Sequence, residues 1–68
     1  MAMTRLREER QRKGLSIATF SHGTLLNPSS VSVVERRKGV ASPQFRRAVS
    51  EYFGISEENF FDSEGFAV

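Results

Sequence analysis

From Thr4 to Phe61 apolar residues recur three and four positions apart, and the runs are punctuated by Ser, Thr or Asn at their starts and Gly at their ends. That spacing belongs to helices, and no segment alternates with period two over a useful length. Thr4 is placed to cap a first helix running to Lys13, and Gly14 suits the left-handed residue that follows one. Within it Glu8/Arg12 and Glu9/Lys13 are spaced as i,i+4 pairs in the favourable orientation. Ser16 opens a second helix through Phe20 that ends near Gly23 or shortly after. Asn27-Pro28 is a strong start, since Asn caps and Pro loses nothing in a first turn. The third helix is expected over residues 28–38, stopping at Gly39. Ser42-Pro43 repeats the device, and Phe45, Ala48, Val49, Tyr52 and Phe53 make one apolar stripe before Gly54. Ser56 would cap a last short helix, with Glu57 and Glu58 at its positive end and Phe60 and Phe61 turned back to the core. The expectation is a compact all-α domain of five short helices over residues 1–68. Residues 61–68 form a tail, in which Phe66 and Val68 are either a frayed end or a dimer contact.

A chain of 68 residues is near the lower size for unaided folding, where a core supplies only about 3–5 kcal/mol of net stability. It contains no Cys, which excludes disulfides, thiolate metal sites and cysteine nucleophiles and fits a reducing compartment. No apolar run approaches the roughly 20 residues of a membrane span, and the charged start MAMTRLREERQRKG is unlike a signal peptide. The expected location is the cytoplasm of a bacterial or phage-infected cell, with no membrane association. His22 has no second His or Cys to share a metal. The stretch PSSVS has no general base at a recognisable spacing and no Gly-rich phosphate cradle beside it. Neither an enzyme nor a cofactor, metal or small-molecule ligand is expected.

Charge adds an orientation. All ten Lys and Arg lie within residues 1–47 beside only Glu8, Glu9 and Glu35, a balance of +7. Residues 48–68 hold Glu51, Glu57, Glu58, Asp62 and Glu64 with no Lys or Arg, a balance of −5. A basic end suits a polyanion, whose phosphates supply most non-specific affinity through counterion release, and the acidic end should face away from it. Charge polarity of this kind is also common in small soluble domains.

The chain resembles the phage repressor and Cro-type (Xre-like) helix-turn-helix family over about residues 4–61. The match is carried by LREERQRKGLS, by Phe20 and Ser21, by Val31, Val34, Glu35 and Arg36, and by the closing GISEENFF. It runs without gaps from Leu6 to Arg36. The resemblance implies a lambda-repressor-like fold in which the second and third helices form the helix-turn-helix. It also implies an ion pair between Arg10 and Glu35 joining the first and third helices; two independent surface charges are the alternative. Ser21 supplies the small residue two crossing helices need, and Val31 and Val34 can bury against Phe20 and Leu26. Three departures stand out. The family's turn glycine is here Leu25, and because a left-handed Leu costs about 1–2 kcal/mol, a longer turn beginning at Gly23 is the expectation. Ile17, Ala18 and Thr19 replace the family's acidic or Gln residues. The loop after Gly39 is shifted by about two residues.

The third helix leaves Pro28, Ser29, Ser32, Val33 and Arg36 outward, the face a major groove would meet. Candidate base contacts are Pro28, Ser29, Ser32 and Val33, with Ile17 from the second helix. Ser can donate or accept with any base and Val can touch a thymine methyl, but neither makes a bidentate pair. Candidate phosphate contacts are Ser16, Asn27, Ser30, Arg36, Arg37 and Lys38. Against this, the serines also suit plain helix surface, Ser16 and Asn27 are caps first, and three cations suit any helix C-terminus. Arg46 and Arg47 either add backbone contacts or form a solvated face. The function implied is a sequence-specific regulator of double-stranded DNA, a repressor acting as a homodimer on a palindromic operator with half-sites about 34 Å apart. A DNA-bending, excisionase-type recombination factor and an antitoxin-like protein-binding module remain as alternatives.

Overall fold

The computed structural model describes residues 3–68; the first two residues of the expected 1–68 domain lie outside that range. Four α-helices follow one another: α1 (Arg5–Arg12), α2 (Ile17–Thr24), α3 (Pro28–Glu35) and α4 (Pro43–Phe53), with one 3₁₀ turn at Glu57–Asn59. The domain is all-helical, but the expected fifth helix is only that single turn. Ser56 precedes it without a side-chain capping bond.

The four α-helices start where the sequence places caps. Thr4 Oγ1 accepts from the Arg7 amide at 3.4 Å, Ser16 Oγ from Thr19 at 3.1 Å, Asn27 Oδ1 from Ser29 at 2.8 Å and Ser42 Oγ from Phe45 at 3.1 Å. Each satisfies one amide that the first helical turn would leave unpaired. Within α1 the pair formed is Glu9–Arg12 at 2.9 Å, one turn apart, in place of the expected i,i+4 pairs.

Helix ends depart further from expectation. α3 stops at Glu35, not Lys38: Arg36 is the cap and Arg37 turns left-handed at φ 59°. The Arg37 amide then donates to Val34 O and the Lys38 amide to Val33 O, both at 3.0 Å. That pattern closes a helix, a role usually filled by glycine, and it overrides the stop signal at Gly39. The turn after α2 likewise does not begin at Gly23, which lies inside the helix. Leu25 takes the left-handed position at φ 61° with its side chain 90% exposed. Gly23 instead allows close packing, because a Cβ there would lie 3.0 Å from Tyr52 Cε1 on α4.

α2 packs against both α3 and α4. The core holds Leu6, Phe20, Val31, Val34, Phe45, Val49, Phe60 and Phe61, with Leu26 partly buried beside them. Phe20 stacks on Phe53 at 5.5 Å and meets the edge of Tyr52 at 5.4 Å. Ser21 is buried as the crossing requires, and its hydroxyl has no hydrogen-bond partner among the described residues.

The C-terminal tail is a folded part of the domain and not a frayed end. Phe61 and Ala67 form an antiparallel bridge, closed by Asp62 N donating to Phe66 O at 2.9 Å. Ala67 is fully buried. Val68 O accepts from Arg5 N at 2.6 Å and Ala41 N donates to Gly65 O at 2.9 Å, so the tail joins the start of α1 to the loop before α4. Among the described residues no helix is long and apolar enough to cross a membrane.

Candidate nucleic-acid interface

α3 is short and sparsely decorated, so its two faces separate clearly. Val31, Val34 and Glu35 are buried, whereas Pro28, Ser29, Ser30 and Val33 are exposed. Ser32 is half-buried on the flank facing α1 and α2, in a cleft lined by Arg7, Arg10, Ile17, Glu35 and Arg36. The exposed face carries no carboxylate.

The one acid of α3 is neutralised beneath that face. Glu35 Oε2 accepts from Arg10 Nε at 2.7 Å and Glu35 Oε1 from Arg10 Nη2 at 3.1 Å, with Arg10 7% and Glu35 4% exposed. Arg10 Nη1 also donates to Leu15 O at 2.6 Å, and Thr4 Oγ1 donates to Glu35 O at 2.9 Å. The end of α3 is thereby tied to the start of α1, to its middle and to the loop before α2. Charge-assisted bidentate bonds of this kind fix orientation as well as distance.

The three cations after α3 diverge. Arg36 lies back along the helix, Nη2 donating to Ser32 Oγ at 2.6 Å. Lys38 is exposed and makes no ion pair among the described residues. Arg37, a candidate phosphate contact by sequence, points to the tail: its Nη2 is 3.6 Å from Asp62 Oδ2 and its guanidinium lies 5.9 Å from the centre of the Phe66 ring. Arg46 also serves the fold, donating to Ala41 O at 2.7 Å and lying 3.7 Å from Glu57. Among the described residues Arg5, Arg7, Lys13, Arg36, Lys38 and Arg47 make no ion pair.

Of the remaining candidates, Ser16 and Asn27 are exposed caps, with the Ser16 hydroxyl donating to Thr19 Oγ1 at 3.0 Å. Ile17 is half-buried between the core and the Ser32 cleft.

Two residues of this surface were not singled out from sequence. Arg7 stands one turn before Arg10 on α1, the i,i+3 spacing that puts both on one side of a helix, and it shares the cleft with Ser32 and Arg36. Val40 is 54% exposed and joins Ser29, Ser30, Val33 and Val34 around a shallow apolar cleft. Its position depends on Gly39 running against α3, where a Cβ would come within 2.7 Å of Val33 Cγ1. No group of His, Asp or Glu able to hold a metal occurs among the described residues. Comparison of the chain with protein-family models, with curated proteins and with solved structures finds no match.

Proposed function

We propose that the protein is a sequence-specific double-stranded DNA-binding regulator, of the repressor and Cro-like type that the sequence resembles, with α3 entering the major groove. The observation that carries this reading is the division of α3. One face is locked to the core by Val31, Val34 and the Arg10–Glu35 pair, and the other is exposed and uncharged. Arg7 and Arg36, which make no ion pair among the described residues, lie along its Ser32 flank, and the exposed Lys38 stands three residues past the end of α3. Short side chains at Pro28, Ser29 and Val33 let the helix backbone approach the groove floor. Ser29 and Ser32 donate or accept with bases, while Val33 and Val40 offer methyl groups to thymine. Without a bidentate reader, DNA shape, deformability and bridging water carry much of the discrimination. Ser16, Asn27, Ser30, Arg36 and Lys38 contact phosphates, and a homodimer places two copies of α3 on adjacent turns of a palindromic site.

Selection of duplexes from a random pool, followed by affinity against salt, tests this directly. Enrichment of a palindrome and a steep fall of affinity with salt are expected. A set of tandem or bent sites would point instead to a recombination factor. The lack of any Arg, Gln or Asn within α3 favours a second reading, an antitoxin-like protein-binding module. Absence of any mobility shift at low salt would favour that reading over DNA binding.

A further inference from the structure

We propose that the C-terminal segment Phe61–Ala67 acts as a positioning device for the DNA interface: Asp62 and Phe66 hold Arg37, and Arg37 holds the loop that carries Arg36 and Lys38. The inference rests on the DNA-binding reading and deepens it, moving Arg37 from the phosphate-contacting set to the scaffold.

The backbone after α3 is the first argument. Its two closing hydrogen bonds, Arg37 N to Val34 O and Lys38 N to Val33 O, accompany a left-handed Arg37. A residue with a Cβ adopts that conformation at a steric cost, which contacts to its side chain can offset. At Arg37 those contacts come from the tail. The two Asp62 oxygens divide the work: Oδ1 accepts from the Glu64 and Phe66 amides at 2.9 and 3.0 Å, and Oδ2 faces Arg37. The turn that Asp62 organises is therefore the same one that faces the half-exposed guanidinium, whose carbon lies 5.9 Å from the Phe66 ring centre. Further along the loop the contact is repeated, because Ala41 N donates to Gly65 O, and Gly65 runs so close that a Cβ there would come within 2.7 Å of Val40 Cγ1. The segment from Arg37 to Ala41 is held at both ends. Arg36 is left along the Ser32 flank, and Lys38, the next residue after Arg37, is exposed.

Charge gives the second argument. A phosphate-contacting arginine with a carboxylate 3.6 Å away would lose part of its attraction for DNA, whereas a positioning arginine needs that carboxylate. The two roles predict opposite signs for one substitution.

Asp62→Asn keeps an oxygen for the Glu64 and Phe66 amides while removing the charge facing Arg37. With the tightest duplex recovered from a random pool as probe, Asp62→Asn should weaken binding several-fold, although it removes a negative charge. Arg37→Ala should weaken it similarly with an unchanged salt slope, because a loosened loop still brings Arg36 and Lys38 to the phosphates but at an added ordering cost. Arg36→Ala and Lys38→Ala should each flatten that slope by about one. In the absence of DNA, amide exchange at Arg37 and Lys38 should accelerate in Asp62→Asn, and circular dichroism should show the helices intact. Tighter binding by Asp62→Asn, a slope flattened by Arg37→Ala, or unchanged amide exchange would each overturn the positioning role while leaving DNA binding standing. A wild-type chain that shifts no duplex at low salt would remove the DNA reading itself, and this inference with it.

Discussion

Arg10 and Glu35, 25 residues apart in sequence, meet in a two-bond ion pair that is almost completely buried, with Nε–Oε2 at 2.7 Å and Nη2–Oε1 at 3.1 Å. Removing one partner strands the other charge away from water. Glu35→Ala is expected to destabilise the domain by about 3–5 kcal/mol, read by urea denaturation. A loss below about 0.5 kcal/mol, the range of exposed pairs, would show that the pair does not function as a buried one. The double substitution Arg10→Met/Glu35→Leu should recover most of the loss, because apolar residues of similar volume leave no charge behind.

Leu25 combines a left-handed backbone with a side chain that is almost wholly exposed. Gly in its place keeps the turn and relieves about 1–2 kcal/mol of steric strain, part of which the greater freedom of the unfolded chain offsets. Leu25→Gly should therefore raise the thermal midpoint by a few degrees. A lower midpoint would mean that the Leu side chain stabilises the turn through contacts of its own.

At the α2 crossing, the Ser21 hydroxyl is buried without a partner. Such an orphan group costs about 1–3 kcal/mol, and Ala has nearly the same size. Ser21→Ala should stabilise the protein by about 1 kcal/mol in chemical denaturation; destabilisation would show that the hydroxyl is satisfied in solution.

Gly65 sits at φ 94° with Arg46 Nη1 and Val40 Cγ1 each 2.7 Å from where a Cβ would stand, and Ala41 O at 3.1 Å. Gly65→Ala combines backbone strain with collision and should cost about 1–3 kcal/mol. The loss should appear first as faster amide exchange at Ala41, whose N–H bonds to Gly65 O. Unchanged exchange there would mean that the tail does not brace the loop.

Much of the helical layout was legible because its determinants are local. Thr4, Ser16, Asn27 and Ser42 each cap the helix that their sequence position announced, since a side-chain oxygen reaching an amide two or three residues on needs no tertiary partner. The spacing of Val31 and Val34 similarly announced the buried face of α3. Helix ends were less legible. Gly39 looked like the stop of α3, but Arg37 adopts the left-handed turn, with its side chain facing Asp62 and Phe66 from the other end of the chain. Gly23 looked like a turn residue and is a packing site for Tyr52. On the candidate site, the outward serines and Val33 follow from helical periodicity alone, while Arg7 and Val40 join them only once α1 and the Gly39 loop are folded against α3.

The sequence by itself determined the all-helical class, the helix starts, the core stripes and the separation of basic from acidic halves, because capping, periodicity and composition act over a few residues. Only the tertiary structure decided that the tail packs between α1 and the loop before α4, that Arg37 faces Asp62 and Arg46 bonds to Ala41, and that the Arg10–Glu35 pair is buried. Those outcomes depend on which distant groups meet. A buried carboxylate is unfavourable on its own and becomes stable only when a residue remote in the chain supplies its partner.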